Sequence, residues 1–177
     1  MTAATRPMLV MGVSGSGKSV LGQALGHSLG IPFVDADDLH PASNKARMAA
    51  GIPLTDTDRM PWLGDVAKTI AGRLSLGHPT VVACSALKRV YRDLIRTYVP
   101  DLLVIYLEGS QETIQSRLSE RQHEYMPASL LASQIADLEP PDADEAHIRI
   151  SLDIPVEAAA DLILRTLHVP VVATAQQ

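Results

Sequence analysis

The sequence predicts an α/β domain, one parallel sheet with helices packed on both faces. Apolar runs of strand length alternate along the chain with longer stretches of helical period. Repeated strand–helix–strand units make the strands parallel, because parallel neighbours need a crossover connection. A third observation is local. Gly12-Val13-Ser14-Gly15-Ser16-Gly17-Lys18-Ser19 spells G-x-x-x-x-G-K-S between the first apolar run and a helical stretch. Strand, glycine loop, helix is the order a phosphate-binding loop requires. With 177 residues, the chain suits one domain with a full core, spanning 1–177.

The strands are expected at 8–11, 32–34, 80–84, 102–107 and 148–152. After the glycine loop, Val20, Leu21, Ala24, Leu25 and Leu29 form one helical face. Trp62, Leu63, Val66, Ala67, Ile70, Ala71 and Leu74 form a longer one, closed by Gly77 and Pro79. Leu87, Val90, Tyr91, Leu94, Ile95 and Tyr98 give a third, ended by Pro100. Further helices are expected at 112–121, 128–138 and 156–167. The proline-rich acidic stretch 139–145 reads as a surface loop. In such a sheet, ligands gather at the carboxyl ends of the strands.

Composition narrows the function. A net charge of −5 argues against a general nucleic-acid or membrane binder. The single Cys84 excludes an intrachain disulfide, fits a reducing compartment, and reads as a buried small hydrophobe. No apolar stretch approaches the ~18 residues of a membrane span. The first seven residues carry only Arg6, and the apolar run behind them is consumed by the first strand. No secretory signal is expected, and the cytoplasm is the expected compartment.

In the loop, successive backbone N–H groups of residues 12–19 would face phosphate oxygens, and the next helix adds its positive end. Lys18 would reach the β- and γ-phosphates, and the Ser19 hydroxyl would coordinate Mg²⁺. Asp35 and Asp37 follow the second strand, two residues apart, and share a cleft if the chain stays extended. Phosphoryl transfer to an alcohol needs a proton acceptor and an acid that organises the metal. Asp37 suits the first role and Asp35 the second; the competing reading is that such acids cap the helix near Pro41, as Asp38 or Ser43 would. The third strand ends in Cys84-Ser85-Ala86 without an acid, which strengthens the metal role of Asp35 or Asp37.

Pro61 suits the first turn of its helix, with Thr57 or Asp58 as cap. Arg59, in the loop beside that cap, is open to two readings: a grip on a substrate carboxylate, or a pair with Asp58. Lys88 and Arg92 lie four apart on a helix that begins with cations, against its dipole. Either a bound anion compensates them or they form a solvated basic face. Arg117 and Arg121, also four apart, suit a flap over ATP or simply a helix C-terminus.

These residues together resemble the gluconate kinases (gluconokinases) of the small P-loop kinase type. The resemblance spans nearly the whole chain. It rests on residues 12–19, Asp35-x-Asp37-x-Leu39-His40-Pro41, Asn44, Met48, Gly51, Pro53-Leu54, Asp58-Arg59-x-Pro61-Trp62-Leu63, Cys84-Ser85-Ala86-Leu87-Lys88 and Tyr91-Arg92-Asp93. It implies a three-layer, nucleoside-monophosphate-kinase-like fold with five parallel strands and a small lid near 117–127. It further implies ATP- and Mg²⁺-dependent transfer to the C6 hydroxyl of D-gluconate, feeding the pentose phosphate or Entner–Doudoroff routes, in a homodimer. By position, Asp37 resembles the acid beside the sugar hydroxyl, and Asp35 the one near the metal. His40, Arg59, Lys88 and Arg92 resemble the sugar-acid pocket, and Arg117 and Arg121 the lid residues near ATP.

One segment departs from the family pattern. The family's lid reads Arg, a variable residue, then Gly-His-Phe; here Arg121-Gln122-His123-Glu124-Tyr125-Met126 lacks the glycine and its histidine is one place early. The alternatives are a kinase of another small acid such as shikimate, or a regulatory nucleotide binder. Against the latter, Asn44-Lys45-Ala46-Arg47 lacks the aspartate of a guanine-reading motif.

Overall fold

Residues 6–120 and 128–169 are described by the structure, a computed structural model. Five strands form one parallel sheet: β1 (Met8–Met11), β2 (Phe33–Asp35), β3 (Val81–Ala83), β4 (Leu103–Glu108) and β5 (His147–Ser151), in the order β2-β3-β1-β4-β5. The helices are α1 (Lys18–Leu29), α2 (Ala42–Ala49), α3 (Asp56–Ser75), α4 (Arg89–Tyr98), α5 (Gln111–Glu120), α6 (Ala128–Asp137) and α7 (Val156–Thr166). Observed strand ends lie within a residue of those expected from the apolar runs.

The sheet separates two cores because side chains alternate across each strand. Met8 and Val10 of β1, with Leu103, Ile105 and Leu107 of β4, join the core that also holds Leu21 and Leu25 of α1 and Ile163 of α7. Leu9 and Met11, with Val104 and Tyr106, join the other, against Trp62, Leu63, Val66 and Ile70 of α3 and Tyr91 and Ile95 of α4. All four residues of β1 are fully buried, so the loop after β1 springs from the most enclosed strand of the sheet. Helix α1 lies close enough to β2 that a Cβ on Gly22 would sit 2.5 Å from the Phe33 ring.

Three local expectations need correction. Helix α3 begins well before Trp62: Thr55 is its cap, and Thr55 and Asp58 form a reciprocal capping box. Pro61 therefore lies inside the helix, not in its first turn, and Arg59 is helical. Helix α2 starts behind Pro41 with no side-chain cap, so neither Asp38 nor Ser43 caps it. The chain after β2 does not stay extended, because residues Ala36–Leu39 wind into a 3₁₀ turn. Asp35 caps that turn, its Oδ1 accepting the Asp37 N–H at 3.0 Å.

Candidate active site

The loop between β1 and α1 turns through Gly15 and Gly17 in the left-handed region (φ 81° and 89°). At Gly15 the glycine is also sterically required: an added Cβ would lie 2.6 Å from Leu118 Cγ of α5. Lys18 Nζ donates to the Val13 carbonyl at 3.0 Å, folding back over the loop. The Ser16 hydroxyl is buried inside the loop without a protein hydrogen bond. Ser19 Oγ donates to Asp35 Oδ2 at 2.6 Å, so a hydroxyl and a carboxylate oxygen converge beside the loop. Hard oxygen donors of this kind fit Mg²⁺.

Two cavities flank the loop. The first, of about 380 Å³, is bounded by Ser14, Gly15 and Lys18 on the loop side. Asp37, His40, Arg59, Trp62 and Ser85 line the opposite side. The second, of about 350 Å³, lies past Gly15, Ser16 and Gly17; Val20, Leu21, Leu107, Ile154 and Val156 make it apolar, with Arg117 at its edge. Arg117 also donates to the Leu152 carbonyl. The structure thus gathers Lys18, Asp37, His40 and Arg59 in one cavity and Arg117 in the other. Arg121 and His123 lie outside the described residues.

His40 stacks on Trp62, ring centroids 3.8 Å apart, and is buried. Burial, reinforced by the charges of Lys45 and Arg59, lowers its pKa to about 4, so it is neutral at pH 7. Asn44 Nδ2 donates to the Asp58 carbonyl at 3.0 Å and lies 3.4 Å from His40 Nδ1. That contact makes Nδ1 the acceptor and leaves the proton on Nε2, 3.9 Å from Asp37 Oδ1. A neutral imidazole is suited to hydrogen-bonding hydroxyls rather than to gripping an anion. Trp62 has a second task beyond the core: its Nε1–H donates to the Ala36 carbonyl at 2.8 Å and pins the turn that carries Asp37.

Arg59 Nη1 donates to Asp137 Oδ2 at 2.6 Å and to Tyr91 Oη at 3.1 Å. Lys88 Nζ lies 2.9 Å from Asp56 and 3.4 Å from Asp137. The Arg59–Asp58 pairing considered from sequence is not what forms; Asp58 faces Arg47 at 3.4 Å. Asp137 was not singled out by the sequence. Neither was Gln134, whose carboxamide binds Ser14 at both its N–H (2.7 Å) and its Oγ (3.0 Å).

Arg92 is not among the residues that line the cavity. It is wholly buried, and its Nε and Nη2 each donate at 2.7 Å to Glu145. Its Nη1 reaches the carbonyls of Ala86, Leu87 and Glu139. Ala86 has φ 37°, a left-handed conformation unfavourable for an alanine, so Arg92 braces a strained turn behind Ser85. The basic start of α4 is paired within the chain. The acidic 139–145 stretch folds onto it, with Asp142 and Asp144 on Arg89 and Glu145 on Arg92 and Arg96. Cys84, fully buried, has its thiol pushed up to about 12 by burial and by nearby acids. It is an inert core residue, as expected.

Residues 8–141 match the AAA domain family. The chain is 45% identical over 163 residues to a probable gluconokinase of Mus musculus, an alignment that covers 82% of this chain and 89% of that protein. The chain belongs to the gluconokinase family. Among solved structures, a gluconokinase from Sinorhizobium meliloti superposes with a TM-score of 0.85 at 40% identity, covering 93% of this chain and 92% of the other. A sugar kinase from Janibacter sp. superposes with a TM-score of 0.88 at 43% identity, covering 93% and 95%. This gluconokinase-family chain is therefore an enzyme, a kinase with the P-loop kinase fold, as its motifs led one to expect. Among the described residues, no helix is long and apolar enough to cross a membrane.

Proposed function

We propose that the protein transfers the γ-phosphoryl group of ATP to the C6 hydroxyl of D-gluconate, giving 6-phospho-D-gluconate and ADP. One observation carries this reading: Lys18 of the phosphate loop, the carboxylate of Asp37 and the cation of Arg59 line a single cavity. That cavity offers a donor end, a proton acceptor and an anion-binding end.

In this reading the loop N–H groups of residues 12–19 hold the triphosphate, and the apolar second cavity takes adenine. Gluconate fills the first cavity. Its carboxylate lies toward Arg59 with Lys88 behind, and its hydroxyls lie against His40. Asp37 accepts the C6 hydroxyl proton as the new O–P bond forms and the bond from the γ-phosphorus to the β,γ-bridging oxygen breaks. Lys18, Arg117 and Arg121 offset charge on the moving phosphoryl group. Ser19 and Asp35 would hold Mg²⁺, which supplies charge neutralisation of the phosphates when bound. We take the chain to act as one domain over 1–177 with 117–127 as its lid, in a cytoplasmic homodimer that serves the pentose phosphate or Entner–Doudoroff route.

The test is ADP release by purified protein with gluconate, shikimate, nucleoside monophosphates or buffer alone. Gluconate-dependent release with formation of the 6-phosphate is the expected result. Turnover independent of gluconate, or with another acceptor only, would overturn the reading.

A further inference from the structure

Helix α6 touches both halves of the site through two side chains three residues apart, and therefore on one face. At the donor end, Gln134 Oε1 accepts the Ser14 N–H at 2.7 Å while its Nε2 donates to Ser14 Oγ at 3.0 Å. At the acceptor end, Asp137 Oδ2 lies 2.6 Å from Arg59 Nη1 and its Oδ1 3.4 Å from Lys88 Nζ.

The chemistry of these contacts resembles that of the two substrates. An amide oxygen sits on an N–H of the phosphate-binding loop, in the wall of the cavity that also contains Lys18. A carboxylate sits between the two cations that would receive the carboxylate of a sugar acid. A ligand that takes either set of donors must first displace a side chain of α6. Both side chains ride on one helix, so release at one end reduces what must be broken at the other.

We propose that Gln134 and Asp137 are placeholders that couple the two half-sites, so that nucleotide and sugar acid each promote binding of the other. The coupling rests on the reading above, with nucleotide on the loop and carboxylate on Arg59 and Lys88. It makes Gln134 and Asp137 positioning residues rather than catalytic ones. Because coupling between two binding equilibria is reciprocal, both ligands must feel the same factor.

Calorimetric titration tests this with Mg²⁺ and a non-hydrolysable ATP analogue, alone and with saturating gluconate, and then in the reverse order. In the wild-type enzyme each ligand is expected to tighten the other by at least ~5-fold, the lower end of common coupling strengths. Asp137→Asn should bind gluconate alone more tightly, and Gln134→Ala should bind the analogue alone at least as tightly as wild type. In both variants the coupling factor should fall toward one. Wild-type binding of both ligands without mutual effect would overturn the proposal, as would variants that keep the full factor. Weaker gluconate binding by Asp137→Asn would also overturn it, since Asp137 would then be orienting Arg59 for the substrate. Failure of wild-type enzyme to bind gluconate at all would overturn the functional reading itself, and the coupling with it.

Discussion

The Arg92 guanidinium meets the Glu145 carboxylate edge to edge, two contacts of 2.7 Å between side chains that are both out of solvent. Removing Arg92 takes both of these charge-assisted contacts from the buried Glu145 carboxylate and leaves Arg96 as its remaining cation. Arg92→Ala should therefore cost about 3–5 kcal/mol, measured by urea unfolding. Arg92→Lys should rescue little, because an ammonium cannot reproduce the planar fork. A variant of parental stability that has lost gluconate affinity would return Arg92 to the acceptor pocket.

Acid should destabilise this fold through two groups. Burial raises the pKa of Glu145, but Arg92 and Arg96 outweigh it and hold the pKa down at about 2, against 4.5 for an ordinary glutamate. Its contribution is present above pH 4.5 and is lost as pH falls toward 2. His40, held near 4 against 6.5, binds its proton in the unfolded chain first, so stability also falls as pH drops from 6.5 toward 4. Denaturant midpoints should decline in two overlapping stages below pH 6.5. His40→Gln should remove the upper stage, and a flat profile between pH 6.5 and 4.5 would show that His40 is not neutral in the fold.

Asp37 is exposed on its 3₁₀ turn and reaches the cavity that holds Lys18. Asp37→Asn should lower kcat by at least ~10²-fold, the scale of general-base catalysis, with little change in ATP affinity. Stopped assays and nucleotide titration separate the two effects, and near-normal kcat would mean that another group takes the proton.

The chain has one tryptophan, Trp62, which lines the first cavity and stacks on His40. Gluconate should shift or quench its fluorescence in a saturable way that a nucleotide alone does not match in size. No change at concentrations that saturate turnover would place the sugar acid elsewhere.

The sheet and its helices were legible because burial on both faces leaves unbroken apolar runs, as in residues 8–11 and 103–107. The loop was legible because its chemistry is written in consecutive residues. The site was less so wherever a contact spans the chain. The turn at Ala36–Leu39 depends on Trp62, 26 residues away, which no local pattern announces. Arg92 read as a pocket cation because its partner Glu145 lies 53 residues on, inside a stretch with the composition of a surface loop. Gln134 and Asp137 are single polar residues on an amphipathic helix, and nothing local distinguishes them from a solvated face. Acidic 139–145 and basic α4 carry complementary charge, the one signal that could have paired them in advance.

Pro61 interrupts α3 between the turn that carries Asp56, Asp58 and Arg59 and the remainder that packs into the core. A proline has no N–H to close the hydrogen bond back to Thr57, so the ladder is cut at that point. The leading turn is tied to the rest of α3 by one hydrogen bond fewer than an unbroken helix would supply. The turn that presents Arg59 to the cavity is thus the weakest-held part of a helix whose remainder is fixed by its packing against the sheet.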